Sequence, residues 1–335
     1  MKILITGGSG FIGSSLIRYL LEKFNRYQIL NIDKLTYASN DSLNQFNGNK
    51  NYIHKEIDIV DSNSLNDAFM NFKPDFVMHL AAESHVDNSI KNPSKFIETN
   101  IIGTFNLLNT SLEYFRKVNS KHFRFQHIST DEVYGDLEKD DPQFTEDTSY
   151  KPSSPYSASK ASSDHLVRSW SRTYGLPSII TNCSNNYGPF QNDEKLIPTI
   201  IKNALHHKSI PIYGDGSQIR DWLYVEDHVA ALHKVLVEGK NNETYNIGGL
   251  NEVKNIDVAK KICKILDEIN PMNSQEFKSY KELIEFVNDR PGHDKRYAID
   301  CSKIKRDLDW SPNEDFDSGM YKTVKWYLDK YKEGK

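Results

Sequence analysis

Only three cysteines, Cys183, Cys263 and Cys301, occur among 335 residues, widely spaced and without a C-x-x-C pair. That scarcity excludes a disulfide framework and a cysteine-rich zinc module, and predicts free thiols in a reducing compartment. Excess charge of one sign is also missing, since 42 basic side chains face 46 acidic ones for a formal net charge of −4. With no basic surplus or Lys/Arg block to neutralise phosphates, the expected partner is a small molecule and not nucleic acid or membrane. No apolar run approaches the ~20 residues that cross a bilayer. The stretch Met1–Thr6 passes directly into a strand pattern, so the expectation is a cytoplasmic chain without a signal peptide. Linkers rich in Ser and Gly, internal repeats and low-complexity tracts are absent as well.

What is present is alternation. Lys2–Thr6, Gln28–Ile32, Asp75–Leu80, Arg124–Ser129 and Ser178–Asn182 are short β-rich runs separated by longer helical patterns, the order that builds a parallel sheet. Phe11, Ile12, Leu16, Tyr19 and Leu20 recur at helical spacing, and Phe96, Ile97, Ile101, Phe105 and Leu108 predict a second apolar helix face. After Asn185 the texture changes to glycine- and proline-marked loops with helical stretches near 196–207, 226–239 and 256–269. The expected architecture is α/β, a doubly wound parallel sheet with a smaller mixed α/β substrate lobe. Residues 1–185 form the first part and 186–335 most of the second, with the chain returning to the sheet near 225–250.

Thr6-Gly7-Gly8-Ser9-Gly10-Phe11-Ile12-Gly13 follows a strand and opens a helix. Glycines there permit a tight turn and close approach of backbone to a pyrophosphate, which the helix N-terminus attracts. Asp33 ends the next strand about 20 residues beyond Gly13, where a carboxylate can accept from a ribose 2′-OH. This Rossmann-type pattern predicts NAD in preference to NADP, although Lys34 beside it can tolerate a 2′-phosphate. Asp58 and Ile59, after the extended stretch 52–57, are placed to meet an adenine.

Tyr156 and Lys160 lie one helical turn apart and share a face. The spacing recurs at Tyr19/Lys23, Tyr321/Lys325 and Tyr331/Lys335, so it carries little alone. Tyr156 differs in following Pro155 at a helix start, in a helix of small residues. A phenol of ordinary pKa ~10 becomes a base near neutrality only when positive charge from Lys160 and an oxidised nicotinamide stabilises its phenolate. The histidines His79, His85 and His293 make no metal set, and no metal is expected.

Together, Gly7–Gly13, Thr130, Tyr156 and Lys160 resemble the extended short-chain dehydrogenase/reductase superfamily. Ser129-Thr130-Asp131-Glu132-Val133-Tyr134-Gly135, Asp33-Lys34-Leu35-Thr36-Tyr37-Ala38 and His79-Leu80-Ala81-Ala82-Glu83-Ser84-His85-Val86-Asp87 are similar, more narrowly, to the dTDP-glucose 4,6-dehydratase family. The likeness continues through Asn182–Pro189, Ile219–Trp222 and Arg290–Asp294, and so covers nearly the whole chain. Departures are Ser39, where glycine is common, and the loop Phe190–Asp193; both touch fine specificity more than reaction type.

The resemblance implies a lyase of nucleotide-sugar metabolism, feeding rhamnose or another deoxysugar. Tyr156 removes the C4 hydroxyl proton as hydride leaves C4 for NAD, Glu132 takes the C5 proton, and Asp131 protonates the departing C6 hydroxyl. Hydride then returns to C6. Thr130 holds the C4 oxygen, with Ser84 nearby. Cofactor contacts are implied at Leu35, Thr36, Leu80, Ala81, Ala82, Ser84, Thr99 and Asn185. Substrate contacts are implied at Asn185, Lys195, Leu196, Pro211, Tyr213, Arg220, Asn255, Arg290, His293 and Tyr297, the two arginines suiting a diphosphate. A homodimer through helices near 95–117 and 157–174 is also implied. Two other enzymes stay open, a UDP-glucose dehydratase and a nucleotide-sugar 4-epimerase, as does a non-catalytic nucleotide sensor. An epimerase has no use for a C5 base and a C6 acid, so Asp131-Glu132 separates the first two chemistries.

Overall fold

Strand β1 (Lys2–Thr6) sends successive side chains into two different cores. Ile3 and Ile5 join Leu16, Ile29 and Leu232 on one face, while Leu4 joins Leu30, Phe69 and Leu107 on the other. A strand covered on both faces needs apolar residues at consecutive positions, which is why these segments read as unbroken runs. The computed structural model describes residues 1–118 and 122–333; Lys335, cited above beside Tyr331, lies outside them.

β2 (Gln28–Asp33), β3 (Tyr52–Glu56), β4 (Phe76–His79), β5 (Arg124–Thr130) and β6 (Ser178–Cys183) run parallel to β1. β7 (Asn185–Tyr187), β8 (Ile210–Tyr213) and β9 (Ile219–Tyr224) lie outside that sheet, and β10 (Thr244–Ile247) pairs parallel with β6. The order β3-β2-β1-β4-β5-β6-β10 reverses direction beside β1. In open α/β sheets that switch point, at the carboxyl ends of the strands, is where ligands bind. β11 (Glu252–Lys254) and β12 (Ile284–Val287) complete two small sheets, β11-β9-β7 and β12-β8. The fold is the expected Rossmann-type α/β sheet with smaller mixed sheets beside it.

Helices Phe11–Lys23 and Val225–Glu238 pack together on one face. Ser62–Phe72, Thr104–Val118 and Pro155–Tyr174 cover the other. A separate core of Ile197, Ile200, Val258, Ile262, Val324 and Tyr327 joins helices Leu196–Leu205, Asn255–Ile269 and Phe316–Glu333. Among the described residues no helix is long and apolar enough to cross a membrane.

The predicted apolar face around residue 100 is corrected. Ile97 is 52% exposed and Phe105 39%, and the buried face is Phe96, Thr99, Asn100, Gly103, Thr104, Leu107 and Leu108. Small and polar residues face inward because this face makes hydrogen bonds. Asn100 Nδ2 donates to Ser159 Oγ at 2.8 Å and to the Glu83 carbonyl at 3.0 Å, and Thr104 Oγ1 donates to the Asn100 carbonyl at 2.6 Å. A π-helical turn at Ile97–Gly103 leads into the longer helix.

Candidate active site

The glycine loop after β1 is built by close contacts. Gly7 has φ +72°, and a Cβ on it would stand 2.5 Å from the Ala81 amide nitrogen. A Cβ on Gly13 would lie 2.2 Å from the Gly7 carbonyl oxygen, so the helix can sit on the loop only with glycine there. Gly10 has room, its virtual Cβ meeting only that same oxygen at 3.4 Å. It is also the N-cap of the helix, with no side chain capping the first-turn amides. Free amides, a positive dipole end and an open cradle suit a diphosphate. Replacing Gly13 by alanine is expected to leave a folded chain that loses NAD during gel filtration, read as the ratio of bound nucleotide to protein.

Asp33, at the end of β2, accepts the Ser9 and Leu35 amides, both at 2.9 Å. A carboxylate offers about four lone-pair directions, leaving capacity for a ribose diol. Lys34 is not a free cation, since its Nζ lies 3.3 Å from Asp58 Oδ2 and 3.3 Å from Thr99 Oγ1. Its charge is therefore matched within the protein, which removes the argument for a 2′-phosphate and fits NAD.

A cavity of about 310 Å³ runs from this loop to the ends of β5 and β6. Its walls include Gly7, Gly10, Phe11, Ile12, Gly13, Asp33, Lys34, Thr36, Asp58, Ile59, Leu80, Ala81, Ala82, Ser84, Thr99 and Asn185. Thr130, Asp131, Glu132, Tyr156, Lys160 and Lys195 line it too. Leu35 is the exception among the cofactor candidates, with an exposed side chain outside this lining. It has φ 53°, and its amide donates to Asp33 Oδ1 at 2.9 Å. Three acceptors on residues of the wall, Asp131 Oδ2, Asn185 Oδ1 and Gln191 Oε1, are buried without a protein partner among the described residues.

The reactive end is a short 3-10 turn, Asp131–Tyr134, capped by Thr130, whose Oγ1 accepts the Glu132 amide at 3.3 Å and donates to Asp131 Oδ1 at 3.3 Å. The two adjacent carboxyls meet different surroundings. Burial pushes Asp131 well above the usual carboxyl range, reinforced by the negative charges of Glu132 and Asp221. Burial also raises Glu132, but Arg220, Arg290 and Lys195 oppose it with positive charge. Asp131 is thus pushed up by burial and negative neighbours together, whereas at Glu132 three cations work against burial, a contrast suited to acid–base work.

Tyr156 packs edge-on to Phe96 at 6.3 Å between ring centres. Burial, followed by the charge of Glu132, pushes its phenol up, and its hydrogen bond to Thr130 works the other way. Lys160 Nζ donates to the Ile128 carbonyl at 2.8 Å. The protein's own groups do not by themselves make Tyr156 a phenolate at neutral pH.

The other substrate candidates, from the second lobe, do not line this cavity, and several of them meet one another or share partners. Arg290 Nη1 reaches Asp87 Oδ1 at 3.2 Å, and Tyr213 Oη donates to Asp87 Oδ2 at 3.2 Å. His293 Nδ1 is 2.6 Å from Asp289 Oδ1. Arg220 lies over the Tyr297 ring at 4.3 Å and is nearly fully buried, donating to the Asp294 carbonyl at 2.9 Å, so much of its fork is already used. Asn255 begins a helix with its Oδ1 buried and unpartnered among the described residues, Leu196 begins another, and Pro211 is exposed on β8. Sequence reasoning missed Gln191, Asn192 and Glu194, which line the cavity. Asn192 Nδ2 donates to the Tyr37 carbonyl at 3.2 Å and Tyr37 Oη to Glu194 Oε1 at 3.4 Å, bridging the two loops. The only signal was that this loop departs from the family pattern.

The family model described as GDP-mannose 4,6 dehydratase matches residues 4–323. A dTDP-glucose 4,6-dehydratase of Neisseria meningitidis serogroup B is 58% identical over 98% of this chain and 93% of its own length. The chain belongs to the dTDP-glucose 4,6-dehydratase family. Two solved members of that family agree in fold. One, from Bacillus anthracis in complex with NAD, gives a TM-score of 0.87 at 41% identity, covering 99% of this chain and 98% of that one. The other, from Streptomyces venezuelae with NAD and TYD bound, gives 0.90 at 38% identity with the same coverage.

Proposed function

We infer that the chain is a dTDP-glucose 4,6-dehydratase, an NAD-dependent hydro-lyase that yields dTDP-4-keto-6-deoxyglucose and water. The observation that carries this reading is the adjacent pair Asp131 and Glu132 in contrasting surroundings beside Tyr156. NAD, when bound, accepts the C4 hydride, returns it to C6 and lends positive charge to the phenol's surroundings. Tyr156 Oη removes the C4 hydroxyl proton while Thr130 Oγ1 holds that oxygen. The resulting carbonyl acidifies C5–H, which Glu132 removes as base. Asp131 protonates the C6 hydroxyl as it departs as water, and Glu132 returns its proton to C5. Gly10 and the helix start after it hold the diphosphate of NAD, Asp33 its ribose, and Lys160 the nicotinamide ribose. Lys195, Arg220 and Arg290 face the sugar nucleotide's phosphates, with Leu196, Pro211, Tyr213, Asn255, His293 and Tyr297 around the nucleoside.

Residues 1–185, with the return near 225–250, serve as the cofactor part, and most of 186–335 as the sugar-nucleotide part. A homodimer is supported by the exposed apolar positions Ile97, Ile102, Phe105 and Tyr174 on the two helical segments near 95–117 and 157–174, a patch of the kind subunits cover. A cytoplasmic location is supported by three buried, unpaired thiols.

Purified chain given dTDP-glucose or UDP-glucose, with no oxidant added, tests the reading by NMR of the product. The expected result is a 4-keto-6-deoxy sugar, with the higher kcat/KM for the dTDP substrate. A galactose-configured product selects an epimerase, and no turnover of any nucleotide sugar removes the enzymatic reading.

A further inference from the structure

The helix Pro155–Tyr174 carries Tyr156, Lys160, Asp164 and Arg168 at successive steps of four, so they form one stripe. The mechanism uses the first two. Asp164 has no part in it, yet its side chain is fully buried, and an unpaired buried carboxylate is costly.

The donors that hold Asp164 come from β5, β6 and the loop between β5 and the helix. Its Oδ2 accepts Ser129 Oγ at 3.0 Å, Tyr150 Oη at 2.8 Å and Asn182 Nδ2 at 3.4 Å. Its Oδ1 lies 3.2 Å from His127 Nε2, equally buried. Ser129 immediately precedes Thr130, and Asn182 Nδ2 also donates to the Thr130 carbonyl at 3.0 Å. Asp164 therefore ties the end of β5, where residues 130–132 begin, to the helix that carries Tyr156 and Lys160.

Its charge is not answered by His127. Burial, assisted by Lys160, pushes that imidazole down to about 4 and leaves it neutral. Lys160 in turn has one close partner, an uncharged carbonyl. Facing Lys160 are Asp164 and Tyr156 from its own helix, His127 from β5, Cys183 from β6 and His79 from β4. His79 is held neutral too. Thr104 has spent its proton on the Asn100 carbonyl, so His79 Nε2 donates to Thr104 Oγ1 at 2.9 Å, and Nδ1 accepts from Thr6 at 2.8 Å. Asp164 also faces Tyr134, Tyr150 and Arg168, and Arg168 donates to Tyr150 Oη at 2.9 Å. Of all these groups Asp164 is the carboxylate that opposes the effect of burial on Lys160, from one helical turn away and outside direct ion-pair contact.

We propose that Asp164 is a positioning residue for the reaction, the fixed buried counter-ion that keeps Lys160 charged and in register with residues 130–132. The proposal rests on the dehydratase reading for its catalytic consequence, but not for its electrostatic content. Burial lowers the Lys160 pKa and Asp164 is the first group opposing it, so removing the carboxylate lowers it further.

Two measurements test this. In Asp164→Asn, the alkaline limb of the kcat profile moves down by about one pH unit or more with KM for dTDP-glucose little changed, and Asp164→Glu moves it back. A profile of unchanged shape, merely lower at every pH, overturns the proposal. The second is a thermal-unfolding cycle that needs no substrate. Asp164→Asn lowers Tm, and adding Lys160→Met raises it again, because the ammonium left without its counter-ion is gone. If the double variant is no more stable than Asp164→Asn, or neither folds, the carboxylate is only a hydrogen-bonding strut and the proposal falls. Failure of the cycle leaves the dehydratase reading standing, and absence of turnover by the unaltered chain leaves the cycle standing.

Discussion

Glu132→Gln is expected to lose overall turnover by about 10²- to 10⁴-fold while still reducing its bound NAD. The amide keeps the shape of the side chain but cannot accept the C5 proton, and Thr130, Tyr156 and Lys160 are untouched. Mixing the variant with dTDP-glucose should therefore accumulate reduced nicotinamide absorbance and 4-keto sugar that retains its C6 hydroxyl. Charge adds a second signature. The Glu132 carboxylate is one of the groups holding the Tyr156 phenol up, so removing it lowers that pKa and shifts the oxidation step to lower pH. The unaltered enzyme has a further marker at the acid end. Because Glu132 is raised above the usual value of 4.5, the base form is present above its shifted pKa and is lost as pH falls through it. The acid limb of the complete reaction should lie above pH 4.5. Stopped-flow absorbance at several pH values checks both statements.

Tyr156→Phe gives the complementary result, a loss of about 10²- to 10⁴-fold at the first chemical step with no build-up of reduced cofactor. Phenylalanine retains the ring that packs edge-on to Phe96, so the fold should survive and Tm should change little. What disappears is the phenol that lines the cavity beside Thr130. The variant carrying both changes should behave like Tyr156→Phe, since elimination requires prior oxidation. If either variant turned over at the unaltered rate, the role assigned to that residue would be wrong.

Much of this was legible because the signals are short-range. The glycine loop, Asp33 and the Thr130-Asp131-Glu132 run each lie within a few residues of a strand end, and a parallel sheet brings all its carboxyl ends to one edge. Periodicity failed around residue 100 because apolar character was read as burial. There the inward face is spent on hydrogen bonds by Asn100 and Thr104, and Ile97 and Phe105 are left outside. Contacts between distant segments were illegible for a different reason. The Asp58 that neutralises Lys34, the Tyr37 that meets Glu194, and the His127 that faces Asp164 are set by topology, which no local pattern encodes. The packing of Arg220 over the Tyr297 ring and against main-chain carbonyls is set the same way.

In a 4,6-dehydratase one hydride leaves the sugar and returns to the same molecule two carbons away. dTDP-glucose carrying deuterium at C4 tests it directly, with the product examined by NMR and mass spectrometry. The prediction is a single deuterium retained in the new C6 methyl group, in water and without added NAD. Deuterium lost to solvent, or a methyl group built only from solvent hydrogen, would contradict it.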